Sequence, residues 1–214
     1  MYTLYWEQMA GSIVVQAMLE SIGADYDLRY VDMGAGEHQA PAFLKINPAA
    51  RIPVLGLPGG RALGETAAIV TLLGERHPQS GLTPQPGDPD RAAFLFWLSV
   101  MATAGYITSG RVGHPERFAR DDSAIAQVKA QGDADYVTFF DLMERSIEGD
   151  GHFLARGLGA LDFYVAMLAE WISDRDGVLA ERPALRKLCD RVRDTAPYAA
   201  ALKTHMIPAA SALA

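Results

Sequence analysis

Glu65 and Thr66 stand directly before AAIVTLLGERHP, a run whose apolar residues recur at helical spacing. The first turn of such a helix offers unpaired backbone N–H groups and a partial positive charge, which suit a carboxylate. The Thr66 hydroxyl can donate a further hydrogen bond to that carboxylate, and the Glu65 carboxylate can pair with an ammonium group. An amino acid head group carries both charges, so this pair of residues predicts a site for one.

The first eighty residues alternate strand and helix signals that would position this pair. The segments are a β-rich run at Tyr2–Trp6, an apolar helix former at Gly11–Ile22, an alternating strand at Tyr26–Val31, a short helical patch at Pro41–Lys45, and two short strands, Ile52–Leu55 and Arg61–Leu63, that flank a turn of composition LPGG. A strand, a helix and a strand in that order indicate a βαβ unit with parallel strands. The full order βαβαββα is that of the thioredoxin-like fold.

A change of composition after residue 78 predicts a domain boundary. Residues 79–89 are dense in proline, glycine and polar residues and are typical of a linker. Asp88 and Pro89 supply an N-cap and a first-turn proline, and the sequence that follows has helical patterns throughout. We therefore predict an α/β domain over residues 1–78, a linker, and an all-helical domain over residues 90–214.

The charge balance excludes one class of partner. The chain of 214 residues has a formal net charge of −7, and half of its residues are hydrophobic. Phosphate binding needs a basic stripe, which this sequence lacks, so nucleic acid is not expected as a partner. The composition is that of an ordinary globular protein.

The sequence also predicts the cellular compartment of the protein and the absence of a membrane-spanning segment. Cys189 is the single cysteine, which excludes a CxxC redox or zinc motif and favours the cytoplasm. No lysine or arginine precedes Arg29 and Glu7 interrupts the first apolar stretch, so we expect no signal peptide. The apolar part of Ala92–Ile107 is shorter than the roughly 18 residues of a membrane span, so a buried helix is expected there.

Three ordered segments resemble the soluble glutathione transferase family, and together they span about the whole chain. NPAARIPVL, from Asn47 to Leu55, is similar to the family segment between the second helix and the third strand. Glu65-Thr66 is similar to the start of its third helix. FLARGLGALDFY resembles a helix start in the second domain, where an N-cap Ser or Thr is answered by Asp three residues later. Here Gly159 stands at the N-cap, and only Asp162 of the reciprocal pair remains.

The resemblance implies a glutathione site built from these segments. Pro53 would be cis, and the backbone N–H and C=O of Ile52 would then pair with the cysteinyl unit of glutathione, as in β-augmentation. The γ-glutamyl head group would bind at Glu65 and Thr66. The glycine carboxylate is expected near His38, Gln39 and Arg51.

The resemblance also implies a thiol-activating donor near the first helix, as Tyr, Ser or Cys. A free thiol has a pKa of about 8.5, and lowering it by two units takes roughly 2.7 kcal/mol, which one charge-assisted hydrogen bond of ~1.5–3 kcal/mol can supply. Gly11 stands where a cysteine-type member has its cysteine, and Met9 near the serine of another class. The remaining candidates are Ser12, through its hydroxyl or its N–H, and Tyr5, which matches the tyrosine spacing of other classes. Their alternatives are a helix N-cap for Ser12 and a core position for Tyr5.

The second-substrate pocket and the function follow from the same resemblance. Met101, Tyr106 and Arg111 occupy the stretch that lines this pocket, with core packing as the alternative for Met101, and Arg111 would favour an anionic or carbonyl-bearing co-substrate. The resemblance predicts conjugation of glutathione, as co-substrate, to a small hydrophobic electrophile by a cytoplasmic homodimer without a metal. The alternatives are a non-catalytic glutathione-binding or interaction module, peroxide reduction, and thioether cleavage. Without a cysteine before Cys189, a mixed disulfide through a first-helix cysteine is excluded.

Overall fold

A computed structural model describes residues 1–207 of the chain and divides them into two compact units. The first unit comprises Met1–Arg91 together with the described residues from Arg193 onwards, and the second comprises Ala92–Val192. The division at residues 79–89 remains a prediction. The packing adds a point that the sequence did not indicate, since the last helix belongs to the first unit.

The described residues form four strands and ten α-helices. In the first part of the chain these are β1 (Tyr2–Trp6), α1 (Ser12–Ile22), β2 (Tyr26–Tyr30), α2 (Pro41–Leu44), β3 (Val54–Gly56), β4 (Ala62–Gly64) and α3 (Thr66–Arg76). The helices that follow are α4 (Arg91–Val100), α5 (Tyr106–Gly113), α6 (Asp122–Ser146), α7 (Ala160–Glu170), α8 (Arg175–Ala180), α9 (Pro183–Arg193) and α10 (Ala196–His205). The predicted order βαβαββα followed by helices is confirmed.

The sheet has the strand order β2-β1-β3-β4. β1 is parallel to β2 and antiparallel to β3, and β4 is antiparallel to β3. The parallel pair is the βαβ unit that the sequence predicted, with α1 as its crossover. This arrangement is the thioredoxin-like fold.

Alternate residues of β1 face opposite sides of the sheet. Leu4 and Trp6 are buried on one face, where the Trp6 indole packs edge-on against His205 of α10 with ring centroids 5.0 Å apart. Tyr5 lies on the other face and packs edge-on against Phe43 of α2 at 5.9 Å. Since α1 packs against α10, α1 and α2 lie on opposite faces of the sheet.

In the second unit, the buried carboxylate of Asp162 organises the start of α7. Asp162 accepts hydrogen bonds from the backbone N–H of Phe153 at 2.7 Å and of Gly159 at 2.8 Å. Burial raises the pKa of Asp162 to about 6, against the effect of these hydrogen bonds. The Asp162 half of the predicted capping pair is therefore present, and glycine at the N-cap is accommodated.

The expectation of a buried helix after the linker is wrong in part. A continuous helical stretch, Arg91–Gly113, is long and apolar enough to cross a membrane by length and composition, and 28% of its apolar window is buried. Phe94 and Leu98 are buried, whereas Leu95 and Phe96 are exposed. One side of this stretch therefore belongs to the core of the second unit, and the other presents apolar side chains at the surface.

Candidate ligand-binding site

The loop before β3 presents free backbone groups at the edge of the sheet. The Ile52–Pro53 peptide bond is cis, as predicted. β3 begins at Val54, so Ile52 lies outside the strand ladder. Within residues 1–207 no backbone group bonds to the N–H or the C=O of Ile52. A bound peptide can therefore use both groups, as in β-augmentation.

Asn47 holds this loop in place. Its side-chain amide donates to the Arg51 carbonyl oxygen at 2.7 Å, and its Oδ1 accepts from the Ala49 N–H at 3.1 Å. Asn47 also lies against Gly64, where an added Cβ would come within 3.0 Å of the Asn47 amide nitrogen. Because Gly64 immediately precedes Glu65, Asn47 packs between the two segments that carry the predicted site. The sequence places Asn47 in the NPAARIPVL segment but does not indicate this positioning role.

The start of α3 combines a helix N-terminus with a strained acidic residue. α3 begins at Thr66, which is buried, and Glu65 occupies the N-cap position with an exposed side chain. The φ angle of Glu65 is 66°, in the left-handed region that residues other than glycine rarely adopt. Its side chain makes no capping hydrogen bond. Strained residues of this kind cluster at ligand sites, which agrees with the prediction of a head-group site here.

Ser12 is the first residue of α1, and Gly11 takes the N-cap position. The interpretation of Ser12 as an N-cap is therefore wrong. The Ser12 side chain is completely buried, and its Oγ has no hydrogen-bond partner among the described residues. In residues 1–207 no backbone carbonyl outside the helix accepts from the Ser12 N–H. The residue as a whole is buried, so a ligand would need a local movement to reach either the Ser12 hydroxyl or its N–H.

Tyr5 and the helix that begins at Ser12 lie on different faces of the sheet. Tyr5 lies on the α2 side of the sheet, at the register position of Val54, and borders a groove between α2 and the β3–β4 turn. The contact with Phe43 places Tyr5 at the edge of a small apolar cluster. The structure thus separates the two candidate thiol donors.

The three residues predicted to bind the glycine carboxylate precede Ile52 in the sequence and differ in exposure. His38 and Gln39 belong to a short 3-10 turn before α2, and their side-chain nitrogens lie 3.3 Å apart. His38 is half-buried, while Gln39 and Arg51 are exposed. Arg51 directly precedes Ile52, so its guanidinium is tethered next to the free backbone edge.

In the second unit the candidate pocket residues are largely engaged with their own neighbours. Met101 is completely buried, which supports its alternative assignment to the core. Tyr106 packs edge-on against Trp171 at 5.2 Å. Arg111 forms an ion pair with Asp135 at 2.9 Å, so the expectation that its charge attracts an anionic co-substrate loses support. Throughout residues 1–207 no group of three or more His, Cys, Asp or Glu residues could hold a metal ion.

Comparisons with known proteins point to one family. Residues 12–76 match the family model described as glutathione S-transferase, N-terminal domain. Glutathione S-transferase 1 of Dianthus caryophyllus is 38% identical over 71 residues, 33% of this chain and 32% of that protein. Maleylacetoacetate isomerase of Pseudomonas aeruginosa is 37% identical over 95 residues, 44% of this chain and 43% of that protein. The matched segments thus span less than half the length of these curated relatives.

Whole-chain similarity is seen with a solved structure. The crystal structure of a glutathione transferase homologue from Sulfitobacter, with bound glutathione, has a TM-score of 0.87 and 25% identity. The similarity covers 97% of this chain and 99% of that one. The likeness therefore includes the helices after the matched N-terminal segment.

Proposed function

Because the chain belongs to the soluble glutathione transferase family, we propose that it binds glutathione and transfers it to a small, hydrophobic electrophile. The observation that carries this proposal is the free backbone of Ile52, presented at a cis peptide bond close to the start of α3. We include a cytoplasmic location in the proposal, on the strength of the single cysteine.

Glutathione would bind in an extended conformation along the sheet edge. Its cysteinyl N–H and C=O would pair with the C=O and N–H of Ile52. The γ-glutamyl carboxylate would accept hydrogen bonds from the Thr66 N–H and hydroxyl at the positive end of α3. The γ-glutamyl ammonium would pair with the Glu65 carboxylate, which is exposed and makes no capping bond. His38, Gln39 and Arg51 would hold the glycine carboxylate.

The thiol would be activated at the amino end of α1. A hydrogen bond to a charged acceptor contributes ~1.5–3 kcal/mol, and the helix dipole adds about 0.3–1 kcal/mol. We propose the Ser12 N–H as the donor, because no backbone carbonyl outside the helix accepts from it in the described chain, and a local movement would have to uncover it. The thiol proton passes to solvent, and the thiolate sulfur attacks the electrophile to form a thioether. Depending on the substrate, a leaving group departs or the electrophile takes up a proton.

A specific observation also favours a non-catalytic glutathione-binding module. Gly11 and Met9 occupy positions where other family classes carry a donor, and the remaining hydroxyl, that of Ser12, is completely buried. Under this alternative the backbone edge and the head-group site are retained, but the bound thiol keeps the pKa of the free thiol. The two functions therefore differ in the ionisation of bound glutathione and agree in its affinity.

We further propose that the chain forms a homodimer through the helical unit. Leu95 and Phe96 on α4 and Val137 on α6 are exposed by 41%, 58% and 47%. Exposed apolar patches mark protein interfaces, and we infer that a partner covers these side chains. In the family, the α/β domain of one chain packs on the helical domain of its partner, so a second copy of this chain is the occupant that we infer.

Calorimetric titration with two ligands tests the binding proposal. Glutathione should bind, and cysteinylglycine, which lacks the γ-glutamyl unit, should bind at least about tenfold more weakly because the contacts of Glu65 and Thr66 are lost. Equal affinity for the two ligands would contradict the assigned head-group site. A parallel assay of thioether formation from 1-chloro-2,4-dinitrobenzene separates an enzyme from a module that only binds.

A further inference from the structure

The first unit carries a second concave site on the face of the sheet that Tyr5 occupies. It is a groove with a volume of about 490 Å³. Its walls are formed by Lys45 and Ile46 at the end of α2 and by Leu57 and Arg61 of the β3–β4 turn, and Thr3 and Tyr5 of β1 form its floor. A volume of this size lies within the range of about 300–1,000 Å³ that is usual for small-molecule sites.

This groove is separate from the proposed glutathione site. Thr3 pairs in register with Gly56, at the end of β3 that is remote from Pro53. Neither Ile52 nor the Glu65-Thr66 pair lines the groove. α2 and the β3–β4 turn bound it, so a ligand here would contact none of the groups assigned to glutathione.

Two unneutralised cations border the groove. Lys45 and Arg61 are both exposed, and the side chain of neither forms an ion pair or a hydrogen bond with another residue of the described chain. The groove has no Asp or Glu in its lining. On the neighbouring strand β2, Asp27 lies beside Thr3 and Arg29 beside Tyr5, so these two charges balance each other. In a protein with a net charge of −7, a groove with two free cations is an unusual concentration of positive charge.

The remaining lining adds hydrogen-bond donors and an apolar surface. Thr3 and Tyr5 supply hydroxyl groups on the floor, and Ile46 and Leu57 supply apolar walls. Gly60 lies at an open rim, where a Cβ would meet nothing within 4 Å. A few polar groups within partly apolar walls are what fix the orientation of a small ligand.

We propose that this groove binds a small organic dianion with a short apolar body. The two negative charges are met by the Lys45 ammonium, which acts as a point charge, and by the Arg61 guanidinium, whose planar fork matches a carboxylate or a phosphate. The apolar body lies between Ile46 and Leu57. Phosphate monoesters and dicarboxylates share this chemistry.

Amide chemical shifts of the full-length protein test the proposal, with glutathione present throughout at saturating concentration. The probes are phenyl phosphate and phenylsuccinate, and benzyl alcohol is the uncharged comparison. We expect at least one of the two anions to shift the amides of Gly56, Gly60 and Ala62 with saturation, and benzyl alcohol to bind at least about tenfold more weakly. The tighter of the two anions identifies the preferred negative group.

Charge-neutralising variants complete the test. Lys45→Gln and Arg61→Gln should each lower the affinity for the anion by about fivefold or more. Arg120→Gln removes an exposed cation outside the groove and should leave the affinity unchanged. The proposal is overturned by shifts that map elsewhere, by equal binding of benzyl alcohol, or by equal losses in all three variants. Repeating the titration without glutathione separates this proposal from the proposed function, because binding in the groove should not change.

Discussion

The side-chain amide of Asn47 donates a hydrogen bond to the carbonyl oxygen of Arg51, across 2.7 Å. This bond closes the loop that delivers Ile52 to the sheet edge. The same amide packs against Gly64, the residue before Glu65. Asn47 therefore couples the backbone-pairing edge of the site to its head-group end.

Asn47→Asp should weaken both the fold and glutathione binding. The aspartate keeps an oxygen that can accept from the Ala49 N–H but places a second oxygen against the Arg51 carbonyl. Losing the hydrogen bond to that partly buried carbonyl costs about 0.5–1.5 kcal/mol. We expect urea denaturation to show this loss and calorimetry to show glutathione bound about fivefold more weakly. An unchanged glutathione affinity in a destabilised protein would limit Asn47 to a structural role.

Glu65→Gly should make the protein more stable and a poorer glutathione binder. Glycine adopts a φ of 66° without the steric penalty of about 1–2 kcal/mol that a Cβ brings. The midpoint temperature of thermal unfolding should therefore rise by roughly 2–4 °C for each kcal/mol gained in the free energy of unfolding. Glu65→Ala is the matched control, because it removes the same carboxylate but keeps the Cβ. Both variants should lose glutathione affinity, and only the glycine variant should gain stability; equal stability in the two would refute the strain argument.

The order of elements could be predicted from the sequence because it depends on local patterns. Strand alternation, helical periodicity and the LPGG turn lie within windows of a few residues. The start of α3 at Thr66 followed from local periodicity, and the cis bond at Pro53 was implied by the resemblance of its segment to the family. These features needed no knowledge of which segments meet in space.

The features that the sequence missed depend on contacts between distant segments. Ser12 is buried although a serine at a helix start is usually exposed, and α10 packs against its helix from the far end of the chain. The charge of Arg111 is neutralised by Asp135, 24 residues away. Sequence periodicity places residues on a face of an element, but it does not say what covers that face.

Phe96→Glu should convert a dimer to a monomer. Phe96 has the largest exposed fraction, 58%, of the apolar side chains on α4 and α6 named above. A buried unpaired carboxylate at an interface is strongly unfavourable. Met206→Glu is the control, since Met206 is 72% exposed and lies on neither α4 nor α6. Sedimentation should show a monomer for the first variant and a dimer for the second, and a monomeric wild-type protein would contradict the inferred dimer.

His205 should make the fold sensitive to acid. Burial lowers the pKa of His205 to about 4, below its ordinary value of 6.5. The unfolded chain therefore binds the proton first, and stability is lost as the pH falls from 6.5 through about 4. The full loss is about 3 kcal/mol, since one pKa unit corresponds to about 1.4 kcal/mol.

The variant His205→Phe isolates this contribution. Between about pH 7 and pH 4 the unfolding free energy of the variant should rise by about 2–3 kcal/mol relative to that of the wild type. Asp162, whose raised pKa acts in the opposite direction as the pH falls, is common to both proteins and cancels in the difference. Parallel pH dependences in the two proteins would show that His205 does not titrate in the native state as described.

Thiol activation is tested most sharply by the ultraviolet thiolate absorbance of bound glutathione as a function of pH. We predict that the bound thiol titrates about one to two units below the free value of about 8.5. Most of this shift should remain in Ser12→Ala, which keeps the N–H, and all of it in Tyr5→Phe, whose ring lies on the other face of the sheet. A bound thiol that titrates no lower than free glutathione would contradict thiol activation by this protein.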